Sequence, residues 1–256
     1  VPAPSQLTGQ NLPPPRPPAA GDRAARRAGG RPPGRRARAG WTAVVLTSLA
    51  IAAFSLSLYA QAGLESLAED EQGLAETYAD RPGAVQAVFY THVVSASLAL
   101  LLGPWQFLRA LRRRSPRVHR VTGRIYLVAV LTGAGSGLAL APWNSAGMVG
   151  FFGFGMLAVL WAVTAVRAYR AVRGGDPAGH QAWMMRNFAF TFAAVTLRLW
   201  VGVLTGVQVP FTAEDVDPDV LFDNAYHAVP FLCWVPNMFV AEWLIRRRGL
   251  PSYRIR

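Results

Sequence analysis

Lysine is missing from this chain of 256 residues: all 26 basic residues are arginine. An all-arginine set reads as a bias toward GC-rich codons, so no binding preference is drawn from it. Cysteine is nearly absent as well. The single Cys233 excludes an intramolecular disulfide and a cysteine-held metal cluster, and it leaves the redox compartment open. Charge is scarce, at 16% of residues, and one-sided, with 14 acidic residues for a formal net charge of +12. The sequence has no Ser-His-Asp arrangement, HExxH, P-loop or CxxC, so a hydrolase, zinc protease or NTPase has no support in it. A redox role without an identifiable catalytic motif is the enzymatic reading left open.

What is abundant is apolar sequence, 52% of residues, gathered in six long blocks at 41–61, 85–108, 121–141, 147–169, 184–206 and 226–245. Each block is close to the roughly 20 residues that cross a bilayer as a helix. The predicted fold is therefore all-α: a polytopic membrane helical bundle with six transmembrane helices. With the N-terminus inside, eight arginines fall in the tail, seven in 109–124, four in 167–186 and five after 245. The opposite side holds Arg81 and two acidic loops, one with Glu65, Glu69, Asp70, Glu71, Glu76 and Asp80, the other with Glu214, Asp215, Asp217, Asp219 and Asp223. The positive-inside rule then puts both termini in the cytoplasm.

Residues 1–40 hold nine prolines, six glycines and eight arginines with few large apolar side chains. Such a segment buries too little to offset the entropy of ordering and is expected to be a disordered cytoplasmic tail. The membrane domain is 41–246, and 247–256 is a second basic tail. Since the positive charge lies in tails and loops, nucleic acid is not an expected partner. The lipid bilayer is, and anionic headgroups are expected at the basic tail and loops, with Arg120, Arg124 and Arg186 as contacts.

Glycine is concentrated at Gly133, Gly135 and Gly137 and at Gly147, Gly150, Gly153 and Gly155. Within apolar helices these follow no strand and make no dinucleotide fingerprint; small residues there allow close helix approach. Pro104, Pro230 and Pro236 are expected to kink the second and sixth spans.

Four histidines could carry chemistry, each near the N-terminal end of a predicted helix: His92, His119, His180 and His227. By depth they fall into two pairs, His92 with His227 in the outer half and His119 with His180 at the inner surface. Helix N-termini disfavour imidazolium, and neutral imidazole is the form that ligates metal or haem. A shared haem at the outer pair requires rings facing each other about 4 Å apart, twice a metal–nitrogen bond. The inner pair predicts a wetter site suited to a quinone headgroup or a metal.

Arg198 lies deep in the fifth span, where an arginine costs about 2.5–3.5 kcal/mol on insertion scales, so something must compensate it. Carbonyls freed by Pro230, a water-filled cavity, an anionic ligand, and snorkelling to the outer surface are the four readings. Glu242 lies too far away in depth and is expected to pair with Arg246, four residues on.

The segments His92…Gly103-Pro104-Trp105-Gln106-Phe107-Leu108, His119-Arg120-x-x-Gly123-Arg124-x-Tyr126, His180-x-x-Trp183-Met184-x-Arg186-Asn187 and Thr196-Leu197-Arg198 resemble the bacterial membrane proteins of domain-of-unknown-function family 2306. That resemblance covers roughly 85–205 and implies a multi-span helical bundle of a bacterial cytoplasmic membrane, without an assigned activity. In architecture only, paired histidines on different spans resemble b561-type membrane cytochromes, which hold haem between helices. This implies haem b as a cofactor, held by His92, His227, His119 and His180, with Arg198 or Arg120 near its propionates. Three functions follow as expectations: a haem-binding electron carrier, a small-molecule or ion transporter that meets an anion at Arg198, and a non-catalytic assembly or regulatory protein.

Overall fold

The computed structural model describes residues 34–61, 63–69, 74–212 and 216–251, and every regular element among them is a helix. Six segments are long and apolar enough to cross a membrane: Ala37–Gln61, Gly83–Phe107, Pro116–Trp143, Gly147–Arg173, Pro177–Phe211 and Pro218–Arg247. The protein is an all-α, multi-pass membrane bundle. Most of the tail assigned to 1–40 lies outside the described residues, but the first helix, α1 (Arg35–Gln61), starts inside it. Arginine and alanine are strong helix formers, so Arg35 to Ala39 can extend the apolar helix that follows.

Two short helices, α2 (Leu64–Glu69) and α3 (Ala75–Ala79), precede α4 (Gly83–Leu102). A 3₁₀ turn at Pro104–Phe107 and α5 (Arg109–Arg114) lead into α6 (Pro116–Leu140). Then come α7 (Gly147–Arg173), α8 (Pro177–Thr191), α9 (Ala193–Gln208), α10 (Pro218–Leu232) and α11 (Val235–Arg247). α4 packs on α6, α6 on α7, α7 on α8 and α10, α9 on α10, and α8 on α11.

Close approach at glycine sets part of this packing. A Cβ at Gly133 would meet the Trp161 ring at 3.0 Å and one at Gly137 would meet His92 at 3.0 Å, so α6 can press against α4 and α7 only with hydrogen there. At Gly153 a Cβ would fall 2.5 Å from Pro230, which joins α7 to α10 in the same way.

The fifth and sixth spans are each built from two helices. Asp176 caps α8, accepting from Gly179 N at 2.7 Å, as the Asp176-Pro177 pair predicts, and the span breaks at Phe192. The sixth begins at Pro218, eight residues before the apolar block, because Asp217 caps α10 by accepting from Asp219 N. It breaks at Cys233 and Trp234, just after Pro230, and Pro236 then sits in the first turn of α11, where no N–H is required. Side chains supply the hydrogen bonds at the breaks. Trp234 Nε1 donates to Pro230 O at 2.9 Å, Thr196 Oγ1 donates to Cys233 O, and the Asn237 amide donates to Ala189 O, Thr196 Oγ1 and Cys233 O. In a bilayer, irregular backbone survives only where protein satisfies it in this manner.

The bundle has two unlike ends. The arginine-rich end carries the end of α4, α5, the start of α6, the end of α7, the start of α8 and the end of α11. At the acidic end α2 and α3 fold over the bundle, burying Leu64, Leu67, Ala75 and Tyr78 against Phe89 and Leu140.

A cavity between the spans as candidate functional site

Between α1, α4, α6, α7, α9 and α10 lies a cavity of about 690 Å³, within the range of small-molecule sites. Its walls are mostly apolar, with Leu58, Leu100, Phe154, Leu157 and Val201 among them. Set into them are His92, Arg198, Tyr59, Tyr78, Tyr226, Ser55 and Cys233, and among the described residues no carboxylate.

His92 sits nine residues into α4, close to 14 Å along it at the usual rise, and thus near mid-bilayer. Its Nδ1 lies 2.9 Å from Gly133 O, a carbonyl that can only accept. Nδ1 therefore carries the proton, which leaves the lone pair on Nε2.

Arg198 folds back along α9: Nη1 donates to Ala194 O at 2.9 Å and Nη2 to Ser55 Oγ of α1 at 2.9 Å. Helical side chains lean toward the N-terminus of their helix, which here leads to the bilayer centre and away from the surface. The guanidinium also lies over Phe54 at 5.9 Å. Its polar partners are thus a carbonyl of its own helix and a serine, and not the carbonyl freed by Pro230. Two contacts leave part of the five-donor guanidinium unengaged. Tyr59 and Tyr226 lie within its electrostatic reach. Tyr226 stacks on Phe222, and Tyr59 accepts from Leu74 N at 3.3 Å. Tyr78, outside the spans, has its phenol pushed up to about 12 by burial, with Tyr59 adding to the rise and Arg81 opposing it.

The other expected residues lie elsewhere. His227 is exposed on α10, its Nδ1 2.7 Å from Asp223 O, and does not line the cavity. Adjacent helix positions point about 100° apart, so turning Tyr226 inward turns His227 out. The expected pairing of His92 with His227 across one haem is therefore not formed. His119 and His180 are within electrostatic reach of each other at the arginine-rich end. Arg120 and Arg124 are exposed there.

Arg186 corrects two expectations at once. Its side chain is 3% exposed and grips Glu242 with Nε and Nη2, joining α8 to α11, so it does not stand among headgroups. Glu242 in turn pairs across helices and not with Arg246. Arg186 and Arg167 also flank the Trp183 ring, at 4.8 and 5.0 Å. The physical reason is that a buried guanidinium needs a carboxylate, and Glu242 is the one acidic side chain within the sixth span's second helix.

Beside this pair is a fully satisfied polar network. Tyr126 OH donates to Asn187 Oδ1 at 2.6 Å and meets Thr191 Oγ1 at 2.9 Å. Trp161 Nε1 donates to Thr191 Oγ1, and Asn187 Nδ2 donates to Trp161 O and Thr164 Oγ1. It ties α6, α7 and α8 together.

The family described as a predicted membrane protein (DUF2306) matches residues 89–245, more than half of the chain. The chain belongs to this family. No curated protein and no solved structure matches it. The family segment contains His92, Arg198, Tyr226, Cys233 and the Arg186–Glu242 pair, whereas Ser55, Tyr59 and Tyr78 of the cavity wall lie outside it. Two of the motif residues, Tyr126 and Asn187, bond each other directly across 61 positions. That contact gives HRxxGRxY and HxxWMxRN a packing role in this family member.

Sequence reasoning missed the three tyrosines and the Asn237–Thr196 bridge. Tyr226 could have been suspected from its place beside His227; Tyr59 and Tyr78 carry no signal, because tyrosine near a membrane boundary is ordinary.

Proposed function

We propose that this DUF2306 protein is a small-molecule carrier of the membrane, holding in its cavity an amphiphile with an apolar body and an acidic or carbonyl oxygen head. The observation that carries this is Arg198: a guanidinium deep in its span, lining a cavity to which the described residues bring no carboxylate, with donors to spare. An anionic oxygen would supply the missing charge, and in a dry site a charge-assisted hydrogen bond is stronger than in water. Transport is favoured over simple storage because both broken spans border the cavity, through Thr191, Ala193, Ala194 and Cys233. Discontinuous helices are where transporters build their sites.

The test is chemical. Full-length protein purified in mild detergent is extracted and its small acids and quinone-type compounds identified by mass spectrometry, for wild type and Arg198→Leu. A species present in wild type and lost from the variant supports the reading; the same complement from both overturns it.

A second reading, haem b, is favoured by one feature: the Nδ1 of His92 is tied to a carbonyl, the arrangement that fixes a ligating imidazole. The cavity offers a single histidine, so His92 would be the one imidazole to hold the haem. A Soret band lost in His92→Ala supports it, and its absence from wild type overturns it. For location, the arginine distribution supports both termini inside and a diffuse attraction of the arginine-rich segments to anionic headgroups, and the resemblance of the motif segments to bacterial membrane proteins favours a bacterial cytoplasmic membrane.

A further inference from the structure

The wall of the cavity has a seam between α1 and α9. Successive positions of a helix point about 100° apart, so a helix beside a cavity shows one arc to the cavity and another to lipid. On α9 the cavity arc holds Ala194, Leu197, Arg198 and Val201, and the exposed Leu199, Val203 and Val207 form the lipid arc. Gly202 falls at the border of the two. It lines the cavity, it is exposed, and a Cβ there would meet nothing within 4 Å among the described residues. On α1 the cavity arc holds Ser55, Leu58 and Tyr59, while Ala50, Ala53 and Ser57 are exposed and do not line the cavity. Phe54 falls at that border, lining the cavity while 52% exposed.

The seam is packed at one level and open at another. Toward the arginine-rich end Ala52 of α1 shares an apolar cluster with Leu100 and Val195. Next comes the Arg198 guanidinium, bonded to Ser55 and lying over Phe54. One turn farther along α9 the side chain is the hydrogen of Gly202, and α1 approaches α9 less closely than α4 approaches α6. Gly202 is nine residues, about 14 Å, short of the end of its span at Phe211, so what lies outside the gap is hydrocarbon and not water.

The acidic end of the cavity is covered. Leu74 and Tyr78 of the flap are in its wall, Leu74 N donates to Tyr59, and Tyr78 packs on Phe89 with ring centroids 4.5 Å apart. Gln86 of α4 holds the end of α3 by donating from Nε2 to Ala79 O and Arg81 O. A water-borne acid arriving from that side has this cover to displace. An acid dissolved in the bilayer meets a glycine.

We propose that the seam is a lateral portal and that the ligand of the cavity is a bilayer-dissolved acid of the long-chain fatty-acid type. It enters sideways past Gly202, and its head reaches Arg198 while its tail is free to stay in hydrocarbon, where each methylene is already favourably placed. This rests on the carrier reading above and narrows its substrate class.

The test uses the full chain in phosphatidylcholine nanodiscs, with isotope-labelled oleate supplied from vesicles as the probe. Native mass spectrometry follows bound oleate during loading and during a chase with unlabelled oleate, and Arg198→Leu sets the baseline. Gly202→Trp plugs the seam and is expected to slow loading and release alike, about tenfold, with the final occupancy unchanged. Gly206→Trp is the matched control, because Gly206 is one turn on, exposed and open at its Cβ, but outside the cavity wall; its rates should stay within about twofold of wild type. If Gly202→Trp unfolds, Gly202→Leu replaces it, with the same slowing expected. Unchanged rates in the Gly202 variant overturn the portal, whether or not occupancy falls, and leave the carrier standing. Equal slowing by the Gly202 and Gly206 variants overturns it as well, since the effect then belongs to α9 as a whole. Wild type that binds no more oleate than Arg198→Leu overturns the fatty-acid class and the portal with it, while the extracted ligands still decide the carrier reading.

Discussion

The polar groups of this bundle are held in two contrasting ways. On the arginine-rich side of the bilayer they answer one another: Arg186 has Glu242, and Tyr126, Asn187, Thr191, Trp161 and Thr164 close a network. Two other groups of the cavity wall are less completely answered. Arg198 has a serine and a backbone carbonyl, and His92 has the Gly133 carbonyl with Ser136 Oγ at 3.5 Å, all on its Nδ1. Polar groups that are saturated hold helices together; polar groups left incomplete in a cavity are available to a ligand. The same elementary chemistry thus gives a latch in one region and a site in the other, and the difference lies in whether partners are supplied by the chain.

That contrast can be broken by experiment, and the largest effect is expected at the ion pair. Glu242→Leu leaves Arg186 buried and unpaired and should cost about 3–5 kcal/mol, read as a fall in thermal stability in detergent. Arg186→Met together with Glu242→Leu should recover most of the loss, because the penalty belongs to the orphaned charge. If the single and double variants are equally unstable, the pair is not the latch.

A smaller effect is expected in the network. Tyr126→Phe removes two hydrogen bonds and keeps the ring, and interhelical bonds of this kind in membranes average about 0.6 kcal/mol with a ceiling near 1.7. Unfolding of the variant should show a drop within that range. A drop several times larger would mean that the hydroxyl organises more than Asn187 and Thr191.

Arg198→Leu should behave in the opposite sense. Removing an incompletely paired charge from mid-bilayer should leave thermal stability unchanged or raise it, while retention of the extracted ligand is lost. A destabilisation as large as that of Glu242→Leu would move Arg198 from the site to the latch.

The smallest effect concerns Tyr78, on the flap over the acidic end, and is confined to alkaline pH. Its folded pKa is raised to about 12 from 10.0, so the folded state keeps the phenol proton after the unfolded chain has lost it. The stability this contributes is full below pH 10 and disappears between about 10 and 12. Tyr78→Phe should therefore flatten the stability profile in that window and change nothing at neutral pH. Spectrophotometric titration of tyrosinate checks the same residue directly.

The six spans were legible because hydropathy and loop charge are local properties, summed over 20 or so neighbours along the chain. Asp176-Pro177 was legible for the same reason, since a cap is decided within three residues. The glycines announced close packing, though not that Gly137 would face His92 and Gly153 would face Pro230. His92 and Arg198 were singled out by depth, and both line the one cavity. His227 was singled out by the same criterion and lies outside, because depth says nothing about the direction in which a helical side chain points.

Sequence by itself determined that this is a multi-pass helical membrane protein with an arginine-rich and an acidic end. Tertiary structure alone decided which polar residues meet: Arg186 with Glu242 across 56 positions, Tyr126 with Asn187 across 61, and Arg198 with Ser55 across 143. Insertion into a bilayer is governed by the transfer free energy of one segment at a time and can be read locally. Pairing is governed by helix rotation and neighbour choice, and these are set by the fit of small and large side chains between spans that no linear window contains.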